Sequence, residues 1–518
     1  MSRFLLVSLN TRAILQETTL YRRREKLGAM TNGAGLGDAY GATIGRIKAQ
    51  EGDRARLGIA ALMWVSHSER PLKVDEICHA LAVEIGSTDV KANNVPSIRT
   101  VLSCCQGLVA VDNGSSTIRL IHFTLKEYIS GHVHLFDRPH SKIAETCLTY
   151  LNFRAIKDLS AGPSRDPRST PFLEYSSLYW GTHMRMDLSD RAKYLALSLL
   201  DQYDNHITAK LLWESAIGRH VGSRKPFSAL HCISYFGIAE VAIDLIRTKR
   251  WDVNQRDSMG LTPLMWAARC GGEEVVKLLL RKHAEPDMPD TEYGRTALSW
   301  AAGRGHGGVV GLFLSSRFIN SGSIGPRWGE TQRVMGVLFG RKYVNPDRPD
   351  NYGRTPLSWA ARYGRDESVG LLLEREGVSP DRPDNDGQTP LSLAARNGHD
   401  GVVKLLLKQE AVSPNRPDNR GQTPLLWAAR NGNDGVVKLL LEREDVSPNG
   451  PDDGGRTPLS WAAYNGHDGA VKLLLGREDV SPDILGNCGQ TPLRWATFNG
   501  HDRVVKLLQA RNVATRSI

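Results

Sequence analysis

Thr355-Pro356-Leu357-Ser358-Trp359-Ala360-Ala361 is the stretch on which the fold of this chain turns. Its Thr-Pro-Leu start returns at Thr389, Thr423, Thr457 and Thr491, each step being 34 residues. Upstream, Thr296 and Thr262 are 34 apart, and Ser228 lies 34 before Thr262. A fixed period of this size marks a repeat architecture. Each unit begins as a helix should. Threonine is a good N-cap, and proline suits the first helical position, where its missing N–H costs nothing. The alanine pair is small enough for a neighbouring helix to come close. The stretch ends at Gly364, Gly398, Gly432, Gly466 or Gly500, the residue type that best tolerates a left-handed C-terminal turn. A second helical stretch follows, as in Val402-Val403-Lys404-Leu405-Leu406-Leu407. Five of its six positions are apolar, so it is expected to be largely buried, Leu405 included. A Pro/Asp/Asn/Gly segment such as 379–387 then favours a tight reversal.

These elements recur in phase through eight units over about residues 226–518, and they resemble the ankyrin repeat. The resemblance implies a slightly curved α-solenoid, stable as a sum of neighbour interfaces, that binds other proteins along its concave face. One departure stands out. Where that family usually has His after Thr-Pro-Leu, this chain has Ser358, Ser392, Leu426, Ser460 and Arg494. The next position, usually Leu, is Trp at 266, 300, 359, 427, 461 and 495. Six aromatics at one repeat position read as a core stack rather than a ligand ladder. The family's geometry aims two rows at the concave face. The row after the alanine pair contains Arg362, Arg396, Arg430, Tyr464 and Phe498, and the row before the threonine contains Arg295, Arg354 and Arg456. These eight residues are the candidate partner-binding set, because arginine with tyrosine and other aromatics is the chemistry of interface hot spots.

The one irregular step, Thr296 to Thr355, is 59 residues. The 25 extra residues, near 315–339, are expected as a bulged loop or an extended outer helix. An in-frame segment absent from the mature message is the alternative.

Upstream the style changes. Residues 56–67, 74–83 and 96–105 read as three helices. Asp112-Asn113-Gly114 lies between two β-rich runs, a strong hairpin signal. Three helices and a small β-hairpin make a winged helix over 55–135. Arg70-Pro71-Leu72, residues 76–84, Gly107-Leu108-Val109 and residues 119–128 resemble the winged helix that follows the NACHT nucleotide-binding domain in fungal NOD-like receptor proteins. That module is also labelled the GPI inositol-deacylase winged helix. Residues 1–54, with Gly37-Asp38-Ala39-Tyr40, resemble a helical remnant of the link from the NTPase core. Residues 140–225, with Tyr179-Trp180-Gly181-Thr182-His183, resemble the helical spacer before the ankyrin array of such proteins. The expected fold is mainly α: winged helix, helical spacer and a solenoid of about eight ankyrin repeats.

The chemistry expected of this chain is binding, not catalysis. A nucleotide-binding core needs G-x-x-x-x-G-K-[ST], whose amides cradle phosphates. No Gly-Lys-Ser or Gly-Lys-Thr occurs, and Gly33-Ala34-Gly35-Leu36-Gly37 reads as a loop. No G-x-S-x-G elbow supports lipase activity, and Cys78-His79 and His132-x-His134 read as core or surface residues, not ligands. No cofactor, metal or small-molecule substrate is therefore expected. The seven cysteines form no CxxC, which fits a reducing compartment. The N-terminal apolar run Phe4–Leu9 is too short for a signal or a span, so neither is expected. The expected location is the cytoplasm, with the nucleus as the other compartment. The net charge is +10, and half of that excess lies in residues 1–50, where Arg22-Arg23-Arg24 reads as a solvated face or a dock for an acidic partner. Nucleic acid is not expected: the recognition-helix stretch Pro96–Cys105 carries only Arg99, which is poor for phosphate neutralisation. The expected function is a non-enzymatic interaction scaffold. The resemblance implies NOD-like receptor signalling of the non-self recognition or heterokaryon-incompatibility type. The alternatives are the C-terminal part of a signal-dependent NTPase, and a DNA-binding regulator using the winged helix.

Overall fold

The computed structural model describes residues 18–22, 24, 36–89, 91–160, 170–217, 227–248, 251–315 and 344–516. The chain forms two compact units, Met1–Leu245 and Ile246–Ile518. Apart from Ser315, the insertion expected near 315–339 lies outside the described residues, as does most of 1–35.

The first unit opens with α1 (Leu36–Lys48) and α2 (Asp53–His67), which bury Ile44, Ile47, Leu62 and Trp64. Leu36 and Gly37, read above as loop, are already helical. A short strand β1 (Leu72–Lys73) leads into α3 (Val74–Ala82) and then α4 (Ile98–Cys104). The expected hairpin forms from β2 (Val109–Asp112) and β3 (Thr117–Leu120), antiparallel, with Asp112 opposite Thr117. β1 pairs with β3 on the other side, giving a three-stranded sheet of order β1-β3-β2. Gly58 is where α2 meets the end of α4. A Cβ there would lie 2.7 Å from the Cys104 carbonyl oxygen, so only glycine allows that approach.

After α5 (Phe123–Gly131), the spacer consists of α6 (Pro139–Leu151), α7 (Arg154–Lys157), α8 (Leu173–Met186), α9 (Asp190–Leu200) and α10 (Ile207–Ile217). Arg70 locks the turn before β1 to α3: its Nη1 and Nη2 donate to Glu76 at 2.7 and 2.6 Å, and Glu76 also accepts from the Lys73 amide. Three histidines meet where α2, α6 and α8 pack. His140 Nδ1 and His183 Nδ1 share a hydrogen bond at 2.9 Å, the His67 ring is edge-on to His140, and His183 Nε2 pairs with the Tyr175 hydroxyl at 2.8 Å. Burial, then His140 and His67, push His183 down to about 3. Burial also lowers His67, with Lys126 adding to that, and lowers His140 against the pull of Glu69 and Asp187.

The sign of the pH dependence follows. A histidine with a depressed folded pKa binds its proton first in the unfolded chain, so its contribution is full above about pH 6.5 and is lost as pH falls below it. We expect the urea midpoint for amide protection in α6 and α8 to fall between about pH 7.5 and about pH 5. His206, buried and lowered to about 4, adds to the same slope. In His183→Phe the slope should be shallower; an unchanged slope would remove His183 as its source.

Ala229–Phe236 (α11) and Ala239–Thr248 (α12) form the first helix pair of the repeat. Phe236 packs on Trp180 at 5.0 Å, and a Cβ on Gly181 would collide with the Phe236 ring. Lys193 of α9 pairs with Asp244 at 2.6 Å.

The second unit is a stack of seven further pairs. First helices are α13 (Pro263–Cys270), α15 (Ala297–Arg304), α17 (Pro356–Arg362), α19 (Pro390–Asn397), α21 (Pro424–Asn431), α23 (Pro458–Asn465) and α25 (Pro492–Phe498). Second helices are α14 (Glu273–Arg281), α16 (Gly307–Leu314), α18 (Asp366–Leu373), α20 (Asp400–Leu407), α22 (Asp434–Leu441), α24 (Asp468–Leu475) and α26 (Asp502–Arg516). Every first helix is N-capped by its threonine, as at Thr389, whose side chain accepts from the Ser392 amide. Gly398 closes α19 at φ 75°, the left-handed turn expected of glycine there. First helices pack in one row and second helices in another. Across the insertion α15 packs on α17 and α16 on α18, so both rows run on. Most of these helices are eight residues long or so, too short to persist alone; stacking holds them.

The phasing of the second helix needs one correction. Val402, Val403 and Leu406 are fully buried, but Leu405 is only half-buried and Lys404 is exposed. The leucine triplet spans 200° of helix, so its middle position points inward and its flanks lie at the margin.

Candidate functional site

The reversal loops carry a feature that the sequence reading passed over. Each of six units has an aspartate nine or ten residues before the tryptophan position: Asp257, Asp290, Asp350, Asp384, Asp418 and Asp452, all buried. One carboxylate oxygen accepts two amides of its own loop, as Asp418 Oδ1 does from Arg420 and Gln422 at 2.9 Å each. The other accepts the indole N–H of the same unit. Trp266, Trp300, Trp359, Trp427 and Trp461 donate to Asp257, Asp290, Asp350, Asp418 and Asp452 at 2.9–3.0 Å. Five of the six tryptophans are therefore core, as expected, and each of these is also clamped by a charge-assisted hydrogen bond, while Trp495 is half-buried. Burial raises the Asp290 carboxyl against these bonds. The signal was present in the sequence as an aspartate recurring at the same place in six of the eight units.

The clamped indoles set the arginines. Arg396 lies over the Trp427 ring at 4.4 Å, Arg430 over Trp461 at 4.1 Å, Arg362 over Trp359 at 5.8 Å, and Arg269 over Trp266 and Trp300 at 4.9 Å each. Arg396 is exposed; Arg362 and Arg430 are half-buried. Among the described residues, none of these three has a carboxylate within ion-pair distance. Burial and then the like charges of Arg456, Arg396 and Arg420 lower the Arg430 guanidinium, opposed by Asp452. The row is thus a cationic cluster. Tyr464 continues it, edge-on to Trp495 at 5.2 Å and 37% exposed, and Phe498 ends it at 81% exposed.

The other three candidates sit differently. Arg295 and Arg354 are only 14% exposed at the side chain. Arg354 Nε donates forward to Asp384 of the next unit at 3.1 Å, and Arg295 lies 3.6 Å from the Trp359 ring centroid with Asp350 at 3.9 Å. Where the next unit has Leu393 instead of tryptophan, Arg354 supplies the donor that Asp384 would otherwise lack. These two arginines join repeats. Arg456 is intermediate, over Trp461 at 3.9 Å with Asp452 at 3.4 Å. In the first unit, Cys78 is buried and its thiol is pushed up to about 11 by burial. His132 and His134 are exposed. Among the described residues no cluster of His, Cys, Asp or Glu has the shape of a metal site, and no helix is long and apolar enough to cross a membrane. Arg99 is exposed and is the single basic side chain of α4.

Comparison with known families agrees with this architecture. Residues 48–135 match the GPI inositol-deacylase winged helix domain. Ankyrin repeats match in overlapping segments, 198–290, 230–324, 283–384, 371–452 and 437–516. Among individual relatives, human neurogenic locus notch homolog protein 1 is 35% identical over 144 residues, 28% of this chain and 6% of that protein. The Xenopus tropicalis protein of the same name is 34% identical over 128 residues, 25% of this chain and 5% of that protein. Drosophila palmitoyltransferase Hip14 is 36% identical over 90 residues, 17% of this chain and 14% of that protein. The chain thus spans only a small part of these relatives. With the repeat motif matched over more than half its length, and the helix pairs, caps and reversal loops in the places that motif requires, the chain belongs to the ankyrin-repeat family.

Proposed function

We propose that this chain is a non-enzymatic scaffold that holds a protein partner across the first-helix face of its array, on Arg362, Arg396, Arg430, Tyr464 and Phe498. The observation that carries the reading is that Arg362, Arg396 and Arg430 lie on clamped indoles with, among the described residues, no carboxylate within ion-pair distance. Stacking on a fixed ring holds an arginine in place before binding, which reduces the ordering cost of association. The matching partner is acidic opposite the arginines and apolar opposite Tyr464 and Phe498. Arg295, Arg354 and, in part, Arg456 support this face from beneath. The winged-helix match supports a NOD-like receptor type of signalling as the setting, in the cytoplasm. An upstream NTPase core is the second reading, since that winged helix takes its place beside one in such proteins.

The test is kinetic. With a partner captured by the full chain, Arg396→Glu with Arg430→Glu should slow association about tenfold at low salt, and the loss should shrink as salt rises. Arg396 is exposed and Arg430 half-buried, neither in the core, so circular dichroism should not change. Unaltered association kinetics in a folded double variant would remove this face as the site.

A further inference from the structure

The last repeat lacks the loop aspartate. Gly486 stands where the six units above have aspartate. The donors that converge on that carboxylate elsewhere are still present here. Among the described residues Trp495 Nε1 is buried with no acceptor, whereas the five indoles named above each donate to their aspartate. Arg456 Nε is likewise buried without an acceptor in hydrogen-bond geometry. Of its counterparts, Arg354 and Gln388 donate forward to Asp384 and Asp418, at 3.1 and 3.5 Å, whereas Arg295 Nε stays 3.9 Å from Asp350 and, like Arg456 Nε, has no acceptor in hydrogen-bond geometry. With no forward carboxylate, Arg456 turns back toward Asp452, whose Oδ2 already takes Trp461. The loop amides of Cys488 and Gln490 occupy the positions that donate to aspartate in the other units, as Gly454 and Arg456 do to Asp452.

The loop itself keeps its repeat shape. Asn487 N donates to Gly454 O at 2.9 Å and Gly486 N to Gln490 O at 3.1 Å. A Cβ on Gly486 would approach nothing closer than Arg456 Cγ at 3.4 Å, and its φ is not in the left-handed region. The position could therefore carry an aspartate, and what is missing is the carboxylate alone. Leu485, next to Gly486, is 60% exposed, and Phe498, three residues beyond Trp495 on the same helix, is 81% exposed.

We propose that the terminal repeat is a carboxylate-binding site, completed by an Asp or Glu side chain of an acidic, apolar-flanked peptide segment of the partner. That carboxylate seats beside Gly486 and accepts from Trp495 Nε1, from the Arg456 guanidinium, which swings off Asp452, and from the Cys488 and Gln490 amides. This deepens the protein-binding reading and rests on it.

The test uses the full chain with indole-¹⁵N tryptophan, the Trp495 signal being assigned by Trp495→Phe, and two probes: acetyl-Leu-Asp-Leu-amide and the same peptide with Asn in place of Asp. The Asp peptide should move the Trp495 indole N–H signal toward the positions of the five clamped indoles, half-saturating at a concentration about tenfold below that of the Asn peptide. Gly486→Asp supplies the carboxylate from within, so its Trp495 signal should start at the clamped position and not respond. Should that variant fail to fold, Arg456→Leu gives the second reading. Leucine is tolerated there, as Leu261 shows in another unit, and the response should weaken about tenfold with one charged donor gone. An absent response in the wild type, an equal response to both peptides, or an undiminished response in either folded variant would overturn the site. None of these results bears on Arg396 and Arg430, whose association kinetics test the first-helix face separately.

Discussion

Leu406→Asp is expected to unfold the array around α20, at a cost on the order of 5 kcal/mol. Leu406 is fully buried between the two helix rows. The substitution removes its packing and leaves a carboxylate with no partner in an apolar setting. The neighbours share the loss, because α20 packs on both α18 and α22 and repeat stability lives in such interfaces. Position 405 should respond less, its leucine being only half-buried, and Lys404→Asp should be nearly silent at an exposed site. Thermal melts of the three variants by circular dichroism check the order. Equal midpoints for the Asp substitutions at 404 and 406 would contradict the helix phasing.

Asp418→Ala should cost about 3 kcal/mol, far above an ordinary loop substitution, because one carboxylate serves several donors. Its removal strands the Arg420 and Gln422 amides, the Trp427 indole and the weaker bond from Gln388. The indole is the expensive member, since Trp427 is 6% exposed and, among the described residues, has no acceptor other than Asp418. Asp418→Asn should recover part of the loss: its carbonyl oxygen can still take the two amides, while its amide nitrogen faces the indole donor. Trp427→Leu in the Ala background should add little further loss, since the unsatisfied donor goes with it. The unit containing Leu393 shows that leucine fits this position. A double-mutant cycle by urea denaturation measures the coupling. Strictly additive losses would mean that the Asp–Trp bond contributes nothing to stability.

What could be read from the sequence divides along physical lines. The 34-residue phase of the threonines, the proline at the first helical position and the closing glycines are local backbone requirements. Each appears in the structure where the motif placed it. The winged-helix hairpin was equally legible from Asp112-Asn113-Gly114, but β1 was not. Two residues are too few to show alternation, and their strand exists only because β3 offers an edge. The candidate row was legible as a row and not as individual roles. Arg295 and Arg354 share a repeat position with Arg456 and differ in burial because of what the next unit provides: Asp350, Asp384 or Gly486. That is a long-range property, fixed by stacking. The aspartates of the reversal loops were visible as a periodic signal yet read as turn formers, since turn chemistry alone accounts for Asp there. Their second role, holding an indole, needs the fold.

Hydrogen–deuterium exchange on the full chain, free and with a captured partner, tests the central claim most directly. New protection is expected in α17, α19, α21 and α23 and in the 485–498 loop and helix, with α18, α20 and α22 unchanged. Protection confined to the second helices, or to the winged helix over 48–135, would contradict it.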